Sequence, residues 1–334
     1  MKKISIAFVL LVWANFALAT DTLFIGPRNM RVSEDGEFSW VDMTPQPQEE
    51  VDLQWAYRLY PDDKKLTGSG VTVAIADSGI SSHPEFNGKN IQGQDFTLSP
   101  TIADVKNHGT GVAGIIGARG VHFTGIAPQA SLLIYKIDDG SQMIAPQAIT
   151  AAINTIVQHN EQYPQSRISV VNLSYGVLPG GSAQLTAALE RAYQAGIVIV
   201  CPAGNAGYPG VHYPANLGFT IAVGALASNL TSAYASSSSG PQVDFIAPGD
   251  SVYTTDNSGG YSLMSGTSAA AGFVSAAAAL AVEGLKNKLG RYPTPEEVKN
   301  ALKAASYQVQ GIDPQRQGNG FIDVKKLEQQ LGAR

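Results

Sequence analysis

Cysteine is nearly absent: Cys201 is the only one in 334 residues, so no intrachain disulfide can form. Charge is sparse as well, with 15% of residues charged and 22 Lys and Arg set against 27 Asp and Glu. That balance offers no basic patch for a polyphosphate, so nucleic acid is not an expected partner. Internal repeats are missing, which excludes solenoids and propellers, and the one biased tract, Ser236 to Ser239, reads as a loop. The N-terminal apolar stretch, residues 4–16, is too short to span a bilayer comfortably and is interrupted by Asn15.

That stretch follows Met1-Lys2-Lys3 and precedes Ala17-Leu18-Ala19, a basic start, an apolar middle and a small-x-small end. The pattern predicts a secretory signal peptide over residues 1–19 and a secreted or periplasmic protein with no membrane span after cleavage. Removing Lys2 and Lys3 leaves 20 basic against 27 acidic residues, a formal charge of −7. Export without disulfides places stability on packing and on any bound ions. Cys201 ends the apolar run Ile197-Val198-Ile199-Val200, where a buried structural thiol is expected.

Residues 20–50 form an N-terminal extension or short propeptide. Asp35-Gly36 lies between two extended runs and predicts a β-hairpin, and Thr44-Pro45-Gln46-Pro47 reads as a linker. Residues 51–334 then alternate Val- and Ile-rich runs (71–76, 132–137, 168–173, 197–201 and 220–223) with helix-length segments (146–159 and 183–195) that repeat apolar positions every three or four residues. Apolar runs without polar alternation are buried parallel strands, so the fold class is α/β: a doubly wound, mainly parallel sheet with helices on both faces. Ligands of such sheets sit at the C-terminal ends of strands. Thr294-Pro295-Glu296-Glu297 combines an N-cap, a proline at the first helical position and a capping-box glutamate, and predicts a helix over 295–305.

Three segments carry chemistry. Asp77-Ser78-Gly79 ends the first buried run, where the carboxylate is either desolvated and in need of a partner or a turn cap. His108 precedes Gly109-Thr110-Gly111, the start of a small-residue helix that can approach its neighbours closely, although a satisfied surface histidine is the ordinary alternative. Ser268 opens a small-residue helix running to about Leu285, as an N-cap or as a nucleophile beside helix N-terminal amides. A serine hydroxyl becomes nucleophilic when an imidazole accepts its proton and a carboxylate orients that imidazole.

Taken together, these segments resemble the subtilisin-like serine peptidases, from about Trp55 to the C-terminus. The resemblance implies an exported serine endopeptidase acting on polypeptides as a monomer, with Asp77 the orienting acid, His108 the general base and Ser268 the nucleophile. Pro202-Ala203-Gly204-Asn205 resembles the loop whose asparagine stabilises the oxyanion, which gives Asn205 that role. The segment ending in Ser174-Tyr175-Gly176 resembles the strand that pairs with substrate backbone and walls the primary pocket, and Ala203 and Gly204 join it as expected substrate-binding residues. His212 falls either at the base of that pocket or in a solvated loop. Asp104, Asp138 and Asp139 are either acidic neighbours of the subsites or solvated loop residues. Gly125-Ile126-Ala127-Pro128 and Asp244 to Gly249 resemble framework turns.

Departures from the family pattern stand beside the match. Gly111 replaces a structural histidine, and Gly272 replaces the proline that usually follows the nucleophile. A glycine within a helix costs about 1 kcal/mol against alanine and is expected to loosen the backbone behind Ser268. That leaves open a peptide ligase or cyclase working through the same acyl-enzyme, and a catalytically silent peptide-binding protein is a third reading. No cofactor is required, and structural calcium held by backbone carbonyls elsewhere in the chain stays an open alternative without an assignable site. The family's usual calcium loop corresponds to Arg119-Gly120-Val121-His122-Phe123-Thr124, which supplies no carboxylate, so no metal site is assignable there.

Overall fold

The computed structural model describes residues 28–32, 38–42, 53–61, 63–89, 91–99, 101–140, 144–177, 180–207 and 209–333. The expected leader at 1–19 and linker at 44–50 lie outside them. Met1–Val51 and Asp52–Arg334 are separate units. In the first, β1 (Arg28–Val32) and β2 (Phe38–Asp42) pair antiparallel, with Val32 opposite Phe38.

The second unit is built on one large sheet. Its strands are β3 (Thr72–Asp77), β4 (Gln92–Asp95), β5 (Ser131–Lys136), β6 (Ile168–Leu173), β7 (Val198–Pro202), β8 (Ile221–Leu226) and β9 (Phe245–Pro248). β10 (Val252–Thr255) and β11 (Tyr261–Met264) form a separate antiparallel ribbon, and β12 (Ser306–Tyr307) and β13 (Phe321–Ile322) close the far edge. The order is β12-β13-β9-β8-β7-β6-β3-β5-β4, parallel throughout except for β12 against β13. The chain lays β4 and β5 to one side of β3, then crosses back to add β6 to β9 on the other. That reversal opens a crevice at the C-terminal ends of β3 and its neighbours.

Both faces of the sheet are apolar because both are covered. Val73 and Ile75 of β3 enter one core and Ala74 and Ala76 the other, the two-residue period of a strand. The helices are α1 (Trp55–Arg58), α2 (Gly109–Gly117), α3 (Pro146–Gln162), α4 (Ala183–Gln194), α5 (Thr267–Leu289), α6 (Pro295–Ala305), α7 (Pro314–Gln317) and α8 (Val324–Leu331). α3 buries Ile149, Ala152, Ile153 and Ile156, and α4 buries Leu185, Ala188, Leu189 and Ala192, each set at the i, i+3, i+4, i+7 spacing of one helix face. α2, α5 and α6 fill the opposite layer.

α5 is buried on all sides from Ala269 to Gly284, which its run of alanines permits, since small side chains let strands and helices approach from every direction. It is long and apolar enough to cross a membrane but is 89% buried inside the protein, a core helix. Residues 244–249, expected as a turn, instead contain β9: Phe245 to Pro248 pair in parallel with β8, and Asp244 anchors the pair by accepting from the Ala222 N–H at 2.9 Å. So short a buried run between turn residues gives too little periodicity to separate strand from loop.

Candidate active site

β3 delivers Asp77 into a turn in which Gly79 adopts φ +110°, a conformation open to glycine at little cost. A side chain on Gly109 would stand 2.2 Å from the Gly79 carbonyl oxygen, so this glycine lets the start of α2 press against the Asp77 turn. The approach brings His108 Nδ1 to 2.7 Å from Asp77 Oδ1, which also accepts the Ser78 N–H at 2.7 Å. Asp77 is buried, whereas the His108 side chain is 36% exposed. With Nδ1–H donating to the carboxylate, the Nε2 lone pair is the free end of the ring. Burial pushes the His108 imidazole toward its neutral form, but the charge and hydrogen bond of Asp77, with a further contribution from Asp104, outweigh it and hold the pKa above the ordinary value.

Ser268 sits in the first turn of α5, so its backbone N–H has no acceptor within the helix and the end of the helix favours negative charge. It lines a cavity of about 630 Å³ together with Thr267, Asn205, Gly204, His212 and the Ser174–Val177 segment. Asn205 Oδ1 is anchored by the Thr267 N–H at 2.9 Å and by its hydroxyl at 3.0 Å, which leaves the Nδ2 hydrogens as the working end of the amide. Opposite, Val177 and Tyr213 exchange backbone hydrogen bonds of 3.0 and 3.1 Å, fixing the far end of the Ser174–Val177 wall. Asn172, fully buried, donates to Ser174 Oγ at 2.8 Å and accepts from Ser275 of α5 at 2.9 Å, tying that wall to the serine-bearing helix.

His212 packs between two glycines that line the cavity. A Cβ on Gly204 would stand 2.2 Å from its Cδ2, and one on Gly176 would stand 3.2 Å from its Cβ. Burial holds the imidazole below its ordinary pKa, partly offset by a hydrogen bond with the Gly176 backbone. The ring is therefore a neutral component of the wall at neutral pH.

Several expected positions take other places. Ala203 is fully buried and does not line the cavity; its N–H donates to the Val223 carbonyl and its own carbonyl accepts from His212 N–H, so it supports the wall from behind. Asp104 is turned inward and is 6% exposed, so it is no subsite acid. Asp138 is buried and paired with Lys106 at 3.1 Å, which cancels its charge. α5 runs unbroken through Gly272, where a Cβ would stand 3.2 Å from Ile115 Cγ2. This glycine serves the close packing of α5 on α2 and leaves no distortion behind Ser268. Gly111 plays a similar part, facing Thr254 and Met264.

Asp104 and Thr267 support the site in ways their local sequence does not announce, and Glu85 does the same for the loop that follows α2. Glu85 is fully buried and gathers the N–H groups of Gly120 and Val121 on Oε2, those of His122 and Phe123 on Oε1, and the Tyr261 hydroxyl. Thr267 is legible in the sequence only as the neighbour of Ser268.

The Subtilase family profile matches residues 68–320. Subtilisin E of Bacillus subtilis (strain 168) is 38% identical over 276 residues, covering 79% of this chain and 67% of that protein. Subtilisin DY of Bacillus licheniformis is 36% identical over 272 residues, covering 78% and 92%. Among solved structures, a serine-to-alanine mutant of the protease domain of PatA superposes with a TM-score of 0.69 at 28% identity, covering 80% of this chain and 97% of that one. A cold adapted subtilisin-like serine proteinase gives 0.67 at 26% identity, with 80% and 95% covered.

Proposed function

The chain belongs to the subtilase family of serine endopeptidases, and we propose that Asp77, His108 and Ser268 form its catalytic triad, with Asn205 in the oxyanion hole. Ser268 Oγ attacks the scissile carbonyl while His108 Nε2 takes its proton, and the imidazolium so formed is stabilised by Asp77. The oxyanion receives hydrogen bonds from Asn205 Nδ2 and the Ser268 N–H. Collapse expels the amine, which takes the proton back from His108, and water releases the acyl group by the same route. Two observations support this reading: the 2.7 Å Asp77–His108 bond at the end of β3, and a cavity that Ser268 and Asn205 line together.

The substrate is an extended polypeptide that adds as a strand beside Ser174, Tyr175 and Gly176, a mode that reads backbone and tolerates varied side chains. Gly204 and His212 bound the pocket for the residue before the cut. The protein works as an exported monomer, secreted or periplasmic, with no cofactor. The loop at 119–124 does not fit a cation, because its N–H groups converge on the Glu85 carboxylate and so present donors where a metal needs acceptors. The test is covalent labelling by a fluorophosphonate: the wild type is labelled at Ser268, and Ser268→Ala folds normally without labelling. Persistent labelling of that variant removes the assignment.

A further inference from the structure

We propose that Asp104 is a positioning residue for His108, acting as a second buried carboxylate that locks the base to the Asp77 turn and adds negative charge beside it. The inference rests on His108 being the general base. Both carboxylate oxygens of Asp104 are engaged twice: Oδ1 by the Ser78 hydroxyl at 2.7 Å and the Lys106 N–H at 2.9 Å, and Oδ2 by the Thr110 N–H at 2.9 Å and hydroxyl at 2.7 Å. Each donor flanks a member of the catalytic pair. Ser78 follows Asp77, gives its own N–H to Asp77 Oδ1 and accepts the Gly109 N–H at 2.9 Å. Thr110 lies two residues after His108, and its hydroxyl oxygen accepts the Ser81 N–H at 3.1 Å from the far side of the Asp77 turn.

One carboxylate thus gathers the residue that follows Asp77 and those on both sides of His108. Moving the His108 backbone away from the Asp77 turn requires breaking this set, since α2 starts on it. Burial pushes the Asp104 carboxyl up, but the Thr110, Lys106 and Ser78 donors outweigh it and keep it ionised. The charges facing His108 are then Asp77 and Asp104, which favour the imidazolium, and Lys106, which opposes them. Lys106 is itself engaged by Asp138. A proton moving onto His108 during acylation is therefore met by two carboxylates, one in contact and one through the structure.

The experiment compares the full-length wild type with Asp104→Asn and Ser78→Ala, reading pH profiles of kcat/KM on one peptide substrate. Asp104→Asn keeps the shape but removes the charge and presents an NH2 to donors. It is expected to lower kcat about tenfold with KM little changed, the loss corresponding to one hydrogen bond's worth of alignment. It is also expected to move the acid limb of kcat/KM down by about half a pH unit. Ser78→Ala keeps the charge and breaks the hydroxyl link, so kcat falls several-fold while the limb stays in place. An Asp104→Asn protein that loses thermal stability but keeps the wild-type limb and kcat overturns the proposal, as does a Ser78→Ala enzyme with unchanged kcat. A wild type with no acid limb at all overturns the assignment of His108 itself.

Discussion

Replacing Glu85 with glutamine tests how the loop after the histidine helix is held. The glutamine has the same shape, but one of its ends becomes an NH2 group. If that end takes the place of Oε2, the Gly120 and Val121 N–H groups lose their acceptor; if it replaces Oε1, those of His122 and Phe123 and the Tyr261 hydroxyl lose theirs. The less damaging choice strands two donors. A buried donor without a partner costs about 1 to 3 kcal/mol. Because Gly120 and Val121 lie on the exposed side of the loop, the variant is expected to lose about 2 kcal/mol of folding stability, near the low end for two donors, and more if the remaining bonds weaken on losing the charge. Equilibrium unfolding in urea at pH 7 reads the difference, on a Ser268→Ala background so that unfolded chains are not digested. Acid provides a second arm. Burial pushes the Glu85 carboxyl up, yet the His122, Val121 and Phe123 N–H groups and the Tyr261 hydroxyl outweigh it, so the folded pKa lies below the ordinary value. A depressed folded pKa contributes stability that is complete above the unfolded value, about 4.3, and is lost as the pH falls through the folded one. Wild type and variant should therefore converge in stability as the pH drops below about 4. A difference under about 1 kcal/mol at pH 7, or one that persists in acid, refutes the reasoning.

Asn205→Ala removes the free donor end of the amide and is expected to lower kcat by about 10² to 10³ with little change in KM, a magnitude taken from the loss of such a donor in a subtilisin; steady-state kinetics on a peptide amide checks it. Thr267→Val frees the Asn205 carbonyl from the hydroxyl but leaves the backbone bond, so its loss should be smaller, about tenfold in kcat in the same assay. His212→Gly opens the space now filled by the imidazole between Gly176 and Gly204, and cleavage of a peptide library should move toward larger side chains before the cut; an unchanged profile removes His212 from the pocket.

The strands around the site are legible because a parallel sheet covered on both faces needs apolar side chains pointing both ways, which writes Val- and Ile-rich runs without polar alternation into the chain. The runs at 168–173 and 71–76 correspond to Ile168–Leu173 and Thr72–Asp77. The capping box at Thr294 and Glu297 is present in both halves, as a local pattern should be when every participant is within one turn. Exposed β4, with the sequence Gln-Gly-Gln-Asp, carries no such signal, nor do the short strands near the C-terminus, whose pairing is decided by partners far along the chain. Gly272 shows the converse error: judged by helix propensity alone it looks like a weakness, whereas its neighbour across the helix pair, Ile115, accounts for it.

By itself, the sequence determined the alternation of strands and helices, the family, and the residue types of the reacting groups, because each is written in short segments whose members are neighbours in the chain. Tertiary structure alone decided what the carboxylates of Asp104 and Glu85 hold together. Asp77, Asp104 and Glu85 are all acids near turns. Asp77 meets His108, Asp104 is enclosed by donors from both sides of that pair, and Glu85 is enclosed by the 119–124 loop. Their roles depend on which N–H and O–H groups the fold brings within hydrogen-bonding distance, about 2.7 to 3.2 Å, and the interaction fades quickly beyond it.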